Sequence, residues 1–126
     1  MDLGEYFPCL NVKDLAKSMA FYQKLGFAVT GDHSAENWAV LKHNNMTLCL
    51  YQGHIVANMI NFRGGDVSKI VQEGQAAGLE FQSPATKEAD GSLGADICDP
   101  DGNIIYFNTF PDEREQYLKT GKLNAE

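Results

Sequence analysis

The three cysteines of this chain are candidates to bind a metal ion or to attack a substrate. Cys9, Cys49 and Cys98 are spread over 126 residues, and no two of them form a CxxC pair. An odd number of widely spaced cysteines is typical of unlinked thiols in a reducing compartment rather than of a disulfide framework. The sequence therefore predicts a cytoplasmic protein without a zinc-ribbon or dithiol redox motif.

The three histidines are not expected where they could activate a cysteine. His33 and His43 are expected on turns or strand ends, and His54 in a linker between two halves of the chain. A nucleophilic thiol needs a base within hydrogen-bond reach, and no histidine is expected beside Cys9 or Cys49. We therefore predict surface or turn histidines and assign no catalytic residue.

Length, composition and charge exclude several classes of protein. A chain of 126 residues is one domain by the usual length, and 44% hydrophobic residues are enough for a core. The net charge is −7 and the ten lysines and arginines form no run, which argues against nucleic acid as a partner. No apolar stretch reaches the ~18 residues of a membrane helix, and no signal peptide is expected.

An internal repeat divides the chain into two similar halves. Residues 14–17 (DLAK) resemble residues 66–69 (DVSK) at an offset of 52 positions. Further on, residues 45–50 resemble residues 102–107 at an offset of 57 positions. Offsets that also match secondary-structure signals indicate two copies of one structural unit.

Each half is expected to contain one helix and several strands. Asp14 and Asp66 are suited to cap the two helices, and Gly26 and Gly78 to end them. The buried stripes are predicted to be Leu15, Met19, Tyr22 and Leu25 in the first helix and Val67, Ile70, Val71 and Ala77 in the second. The expected strands are 5–12, 27–32, 38–42 and 46–52, then 57–63, 80–83, 95–99 and 103–108.

Turns, a loop and a tail are expected around these elements. Residues 43–45 and 101–102 predict hairpin turns. Residues 85–94 are polar and contain glycine, which predicts a mobile loop. Residues 111–126 predict a polar tail or a short helix. The candidates to anchor it on the body of the protein or on a partner are Tyr117 and Leu118.

Two βαβββ units in this length resemble the vicinal oxygen chelate superfamily, which includes glyoxalase I, extradiol dioxygenases, fosfomycin resistance enzymes and bleomycin resistance proteins. The motifs that carry the resemblance are NVKDLAKSMAFYQKLGF at 11–27 and DPDGNIIYF at 99–107. It implies an α+β fold of two paired βαβββ modules, which form curved mixed sheets around a cavity. Residues 1–110 would form a single domain with modules at about 5–52 and 57–108, followed by the tail at 111–126. It also implies a homodimer.

Alternation along the strands of this fold sorts the side chains into two sets. The strongly apolar set should face the helices: Leu10, Val12, Leu48, Leu50, Ile60, Phe62, Ile105 and Phe107. The opposite set, which also includes Cys98 and Ile104, should face the cavity. The predicted ligand-binding residues are Phe7, Cys9, Trp38, Thr47, Cys49, Tyr51, Met59, Asn61, Asp96, Tyr106 and Asn108.

The resemblance also identifies the positions at which metal-dependent family members hold a divalent ion with histidine, glutamate or glutamine. The matching residues here are Phe7, Cys49, Met59 and Tyr106. Phenylalanine has no ligand atom, methionine is a soft donor and a neutral tyrosine binds such ions poorly. We therefore predict no family-type metal site and no cofactor. A soft metal held by the three cysteines is an alternative to cysteines that line a ligand pocket.

Two functions from different classes follow from the resemblance. The first is a protein of the bleomycin resistance type that sequesters an aromatic or cationic compound in a metal-free cavity. The alternative is a glyoxalase-like lyase or isomerase, or a dioxygenase. Asp96 and Tyr106 are then the titratable candidates, and Cys9 or Cys49 the candidate nucleophile. A third possibility is that these side chains fill a core and bind nothing.

Overall fold

Within residues 1–82 and 85–121, which the computed structural model describes, the chain forms nine strands and three α-helices. The strands are β1 (Gly4–Tyr6), β2 (Cys9–Asn11), β3 (Ala28–His33), β4 (Trp38–His43), β5 (Met46–Tyr51), β6 (Met59–Gly64), β7 (Thr86–Lys87), β8 (Leu93–Cys98) and β9 (Ile104–Thr109). The helices are α1 (Leu15–Lys24), α2 (Val67–Ala76) and α3 (Pro111–Thr120). The predicted α+β class is confirmed. None of these helices is both long and apolar enough to cross a membrane.

The first two helices begin in the same way, as the repeat predicts. The Asp14 carboxylate accepts a hydrogen bond from the Lys17 amide at 3.1 Å, and Asp66 accepts one from the Lys69 amide at 3.2 Å. Each carboxylate satisfies an amide that has no partner within the first turn of its helix. Both predicted N-caps are therefore confirmed.

Both helices end one residue before the predicted stripes do. Leu25 and Ala77 follow the last helical residues of α1 and α2, and both are exposed. The prediction that these two residues belong to the buried stripes is wrong. The helical period that places side chains on one face does not continue beyond the last turn. The next residues, Gly26 and Gly78, adopt φ values of +103° and +91°, which glycine adopts without strain.

The contacts divide the chain into two compact units. The first, here called the N-terminal unit, is Phe7–Met59, and the second, the C-terminal unit, combines Met1–Tyr6 with residues 60–121 of the described chain. Residues 1–6 belong to the second unit because β1 pairs with β6. That the two modules form a single domain over 1–110 stays a prediction.

The N-terminal unit has its core on the face of the sheet that α1 covers. Its strands run in the order β3-β4-β5-β2, in which β2 and β5 are parallel and the other pairs antiparallel. Buried side chains from the helix and the sheet form the cluster Leu15, Ala39, Leu41, Leu48 and Leu50, with Leu10, Val12, Met19 and Tyr22 against it. The predicted helix-facing set of this half is confirmed.

The C-terminal unit repeats this plan with α2. Its strands run in the order β1-β6-β9-β8-β7. The buried cluster is Val67, Ile70, Val71, Ala95, Ile97 and Phe107, with Phe62, Leu93 and Ile105 among the side chains against it. Phe62, Ile105 and Phe107 therefore lie on the helix side as predicted.

The segment after the last strand forms helix α3. Nη2 of Arg63 donates a hydrogen bond to Oε2 of Glu113 at 2.6 Å, and the Tyr117 hydroxyl donates one to the Asp2 carboxylate at 3.0 Å. Tyr117 thus anchors the helix, as one of the two predicted candidates. The other, Leu118, is 65% exposed and does not anchor the helix to this unit.

Three expected elements differ in the structure. The strand predicted at 5–12 is interrupted at residues 7–8, because Pro8 has no amide proton to donate to a sheet ladder. Residues 80–82 are not a strand, although the Gln82 amide donates to the Asp96 carbonyl at 2.9 Å; Ser83 lies outside the described residues. The loop predicted at 85–94 contains β7 and the start of β8, which pair with each other.

Candidate functional site

Aromatic side chains form a row across three strands of the N-terminal unit. The strand register places His33 opposite Trp38 and Trp38 opposite Tyr51. The His33 and Trp38 rings lie 3.9 Å apart with planes 4° from parallel, and Trp38 and Tyr51 lie 6.0 Å apart at 16°. The His54 ring meets the Tyr51 ring at 5.9 Å and 78°. We call these four residues the aromatic row.

The connection between β3 and β4 positions one end of the row. It is a short 3₁₀ turn at Ser34–Glu36 followed by Asn37, which adopts φ of +67°. Nε2 of His54 lies 2.7 Å from the Glu36 carbonyl oxygen, so this turn also holds the other end of the row. Trp38 and Tyr51 are half-buried and His54 is exposed. The row is therefore fixed by backbone contacts and still reachable by a ligand.

Asp32 precedes His33 on β3 but lies on the other face of the sheet, because it is opposite Ala39 of the α1 core and lines the cavity at the start of α1. Hydrogen bonds from Ser34 hold the pKa of the Asp32 carboxyl below its ordinary value, and the nearby His33 lowers it further. Asp32 is therefore ionised at neutral pH. This negative charge therefore belongs to the cavity at the start of α1 and not to the row.

The sulfur-containing residues of the predicted site lie on neighbouring strands of the same unit. Cys9 is opposite Cys49 on one side and opposite Met59 on the other. Phe7, Cys9 and Cys49 are each at most 3% exposed, and Met59 is half-buried. Thr47, two residues before Cys49 on β5, is also buried. These residues form a mainly apolar surface on the side of the sheet opposite the α1 core.

The C-terminal unit brings together the polar residues of the predicted site. The Asn61 side-chain amide donates to the Asn108 side-chain oxygen at 2.8 Å and to the Tyr106 carbonyl at 3.0 Å. Asp96 lies opposite Tyr106 in the β8–β9 ladder. Asn61 is buried, while Asp96, Tyr106 and Asn108 are half-buried. That all eleven predicted residues face one cavity stays a prediction.

Tyr106 lies across a glycine that the sequence did not identify. A Cβ atom added at Gly94 would lie 2.3 Å from the Tyr106 hydroxyl oxygen. Burial raises the pKa of Tyr106 to about 12, and the carboxylates of Glu88, Asp90 and Asp96 add to the shift. The hydroxyl therefore keeps its proton at neutral pH and can donate a hydrogen bond.

Three cavities lie on other surfaces of the units. One of about 430 Å³ adjoins the start of α1 and is lined by Asp14 and Gln52, among others. Others of about 300 and 460 Å³ adjoin α2 and share Asp66 and Arg114 in their linings. None of the predicted ligand-binding residues lines them.

The residues at the family's metal positions do not fit a hard divalent ion. Phe7 is buried and has no donor atom, Met59 offers a thioether, and Tyr106 stays a neutral phenol. Over residues 1–82 and 85–121, no three or more His, Cys, Asp or Glu side chains are grouped so that they could hold a metal ion. The three-cysteine alternative is therefore not supported.

Sequence reasoning missed the contribution of two histidines to the site. His33 and His54 were expected on a strand end and in a linker, and they do lie there, but both contact rings of the row. The signal for His33 is present in the sequence: it and Trp38 flank a four-residue connection, so a hairpin places them opposite each other. His54 is placed by a backbone contact that no local pattern indicates.

Comparison with known proteins gives one family and several similar folds. A model of the Glyoxalase/Bleomycin resistance protein/Dioxygenase superfamily matches residues 7–107. The fold is similar to a superfamily member from Vibrio splendidus 12B01, with a TM-score of 0.64 and 17% identity over 83% of this chain and 97% of the other. The search of curated proteins gave no match.

Two further solved structures are similar over most of their length. One is the NAD-dependent benzaldehyde dehydrogenase from Legionella pneumophila, with a TM-score of 0.71 and 17% identity over 83% of this chain and 98% of the other. The second is a hypothetical protein from Bacillus halodurans C-125, with a TM-score of 0.62 and 14% identity over 82% and 91% of the two chains. Sequence identities this low show a common fold and do not show a common activity.

Proposed function

The chain belongs to the Glyoxalase/Bleomycin resistance protein/Dioxygenase superfamily, and we propose that it is a small-molecule binding protein that sequesters an aromatic or cationic compound. Superfamily members bind small molecules. Binding of this kind needs no hard divalent ion, which agrees with the donor atoms at the family's metal positions. The observation that carries the proposal is the aromatic row of the N-terminal unit.

The row supplies the kind of surface that a planar ligand recognises. Its rings are held by paired strands and by the contact of His54 with the Glu36 carbonyl. A ligand therefore meets rings that are already ordered, so binding costs little side-chain entropy. Each stacked or edge-on aromatic contact adds about 0.5–1.5 kcal/mol beyond the apolar area that it buries.

Charge supports a cationic ligand over a neutral one. The chain carries −7 at neutral pH, and a net charge of this sign raises the local concentration of cations. An indole face also attracts a cation by about 0.5–1 kcal/mol at an exposed site. We propose that Trp38 and Tyr51 stack on the ligand and that the net negative charge of the chain attracts it.

The remaining predicted residues would line and orient the ligand. We propose that Phe7, Cys9, Cys49 and Met59 provide apolar contacts. The orienting groups would be Thr47, Asn61, Asp96, Asn108 and the hydroxyl of Tyr106. A phenol that keeps its proton is a dependable donor, so it would select a ligand with an acceptor atom.

The alternative is catalysis by the same residues, as in a glyoxalase-like lyase or isomerase or in a dioxygenase. A general base works best when its pKa lies near the working pH, whereas that of Tyr106 is raised to about 12. Tyr106 is thus a poor base at neutral pH. No observation on the remaining candidates favours catalysis over binding.

The single tryptophan makes the proposal directly testable. Trp38 is the one tryptophan of the chain, so its fluorescence reports a ligand at the row. We expect a planar cationic acridine dye to quench it to saturation. Tyr51→Ala should weaken binding about tenfold, which corresponds to about 1.4 kcal/mol, whereas Tyr51→Phe should bind like the wild type because it keeps the ring.

A matched control separates binding at the row from adsorption elsewhere. Phe21 lies on α1 and is 59% exposed, and Phe21→Ala should leave the titration unchanged. If several hundred aromatic and cationic compounds neither quench Trp38 nor raise the melting temperature, the binding proposal is wrong. Equal weakening by Phe21→Ala and Tyr51→Ala would also contradict it.

We further propose that the protein is a cytoplasmic homodimer. Superfamily members are often dimers, and the three unlinked cysteines suit a reducing compartment. Sedimentation should give twice the 13.9 kDa of one chain. A single species of one chain mass at all concentrations would contradict the dimer.

A further inference from the structure

Three sulfur-containing residues of the N-terminal unit occupy neighbouring positions on the adjacent strands β5, β2 and β6. Cys49 on β5 is opposite Cys9 on β2, and Cys9 is in turn opposite Met59 on β6. Residues opposite each other in a ladder project to the same face of the sheet. Two thiols and one thioether therefore share one face, in a line that crosses three strands.

The spacing of the strands suits a shared ligand. Neighbouring strands lie roughly 4.8 Å apart, and a cysteine sulfur binds a metal ion at about 2.3 Å. An ion between Cys9 and Cys49 can therefore reach both sulfurs without a change in the backbone. The Cys9 thiol, which donates to the Phe7 carbonyl oxygen at 3.4 Å, gives up that hydrogen bond together with its proton. The longer side chain of Met59 allows its sulfur to approach the same ion from the next strand.

From this arrangement we propose that Cys9, Cys49 and Met59 form a binding site for Cu(I). Thiolate and thioether sulfur are soft donors that select Cu(I). A structural zinc site needs four ligands in a tetrahedron, and no group of three or more His, Cys, Asp or Glu side chains that could hold a metal occurs over residues 1–82 and 85–121. A low-coordinate soft ion fits the donors that are present.

Burial and access are consistent with such a site. Cys9 and Cys49 are 2% and 1% exposed, and Phe7 beside them is 3% exposed, so water has little access to the thiolates. Met59 is half-buried, so an ion can enter the site from the side on which Met59 lies. Binding replaces two thiol protons with one Cu(I), and copper stays in the same oxidation state throughout.

The three sulfur residues are also proposed to give the ligand apolar contacts, but its stacking on the row does not depend on them. Stacking on Trp38 and Tyr51 does not require a metal ion, and the copper site does not require a ligand at the row. Each proposal can therefore fail alone. Copper binding that persists in Tyr51→Ala would show that the two are independent.

Copper affinity tests the site directly. The protein competes for Cu(I) with a coloured chelator in the absence of oxygen, and native mass spectrometry measures the mass of the complex. We expect one copper per chain and the loss of two protons. Cys9→Ser and Cys49→Ser should each lower the affinity at least a hundredfold, and Met59→Leu about tenfold. Cys98→Ser is the matched control, since Cys98 is exposed, and should bind like the wild type.

A measurement on the wild type covers the case in which a buried cysteine variant fails to fold. Iodoacetamide is applied with and without one equivalent of Cu(I), under mild denaturant that exposes the thiols. Copper should protect Cys9 and Cys49 together and leave Cys98 reactive. Protection of Cys98 instead, no protection, or zinc retained in preference to Cu(I) would overturn the proposal.

Discussion

Tyr106 keeps its phenolic proton to a higher pH than an ordinary tyrosine. Burial disfavours the phenolate, and the carboxylates of Glu88, Asp90 and Asp96 disfavour it further, so the pKa rises from 10.0 to about 12. In the unfolded chain the same group ionises near its ordinary value. The folded state thus holds the proton more tightly, and this contribution to stability is complete below pH 10.

We therefore expect the free energy of unfolding to fall as the pH rises from 10.0 towards about 12. Denaturant unfolding at several pH values measures it, and ultraviolet absorbance of the phenolate follows the ionisation itself. Tyr106→Phe should remove both the late ionisation and this part of the pH dependence. Tyr117→Phe should leave the step near 12 in place. A late step that survives in Tyr106→Phe would contradict the assignment.

Gly94 is required by the ring that lies across it. Its Cβ in an alanine variant would be 2.3 Å from the Tyr106 hydroxyl oxygen and 3.0 Å from Cζ. Overpacking of this kind costs about 1–3 kcal/mol, so Gly94→Ala should lower the free energy of unfolding by that amount.

A double-mutant cycle tests whether the clash is with the hydroxyl. Tyr106→Phe removes the nearest atom, so Gly94→Ala should cost less in that background than in the wild type. Urea unfolding of the four proteins measures the difference. Equal costs in both backgrounds would show that Gly94 is needed for another reason.

At the scale of elements, the repeat gives a paired prediction for the two helix caps. Asp14→Ala and Asp66→Ala each remove the acceptor of an amide hydrogen bond, and each should cost about 1 kcal/mol. Asp14→Asn and Asp66→Asn keep an acceptor and should cost only a few tenths. Thermal unfolding measures all four variants. If the asparagine variants lose as much as the alanine variants, the carboxylate charge matters rather than the cap.

The sequence predicted the elements that carry strong local signals. Asp14 and Asp66 mark helix starts because a short acceptor satisfies an open amide, and alternation identified Leu48 and Leu50 as helix-facing. It missed β7, because two residues are too few to show alternation. The break at Pro8 was also overlooked, although proline has no amide proton to give.

The site was less predictable than the fold because it depends on register and on contacts between distant residues. Tyr51 was identified from alternation and Trp38 as a source of stacking area. Their stack with His33 requires the hairpin register of β3 and β4, which includes a shift between Val29 and Gly31. His54 reaches the row through the Glu36 carbonyl. Such contacts have no period in the sequence and become visible only in the folded chain.

At the scale of the whole molecule, the repeat explains how a short chain forms two cores. Each unit buries one helix against one sheet, with Leu15 and Leu50 in one core and Ile70 and Phe107 in the other. Modules of about 50 residues have little core of their own and are marginal alone. The chemistry is divided in the same way: aromatic and sulfur side chains in the N-terminal unit, amides, a carboxylate and a phenol in the C-terminal unit.

The net charge of −7 gives a prediction for binding that belongs to no single residue. A planar cation and its neutral isostere gain the same stacking on Trp38, so a difference in their affinity reports electrostatics. The Debye length falls from about 30 Å at 0.01 M salt to about 8 Å at 0.15 M. The cation should therefore bind more tightly than the isostere at low salt, and its advantage should shrink as salt is added. Asp32→Asn should change the advantage only slightly, because Asp32 lies on the face of β3 opposite the row and contributes only as one of many charges. An advantage that salt does not change would assign the preference to cation–π contact alone.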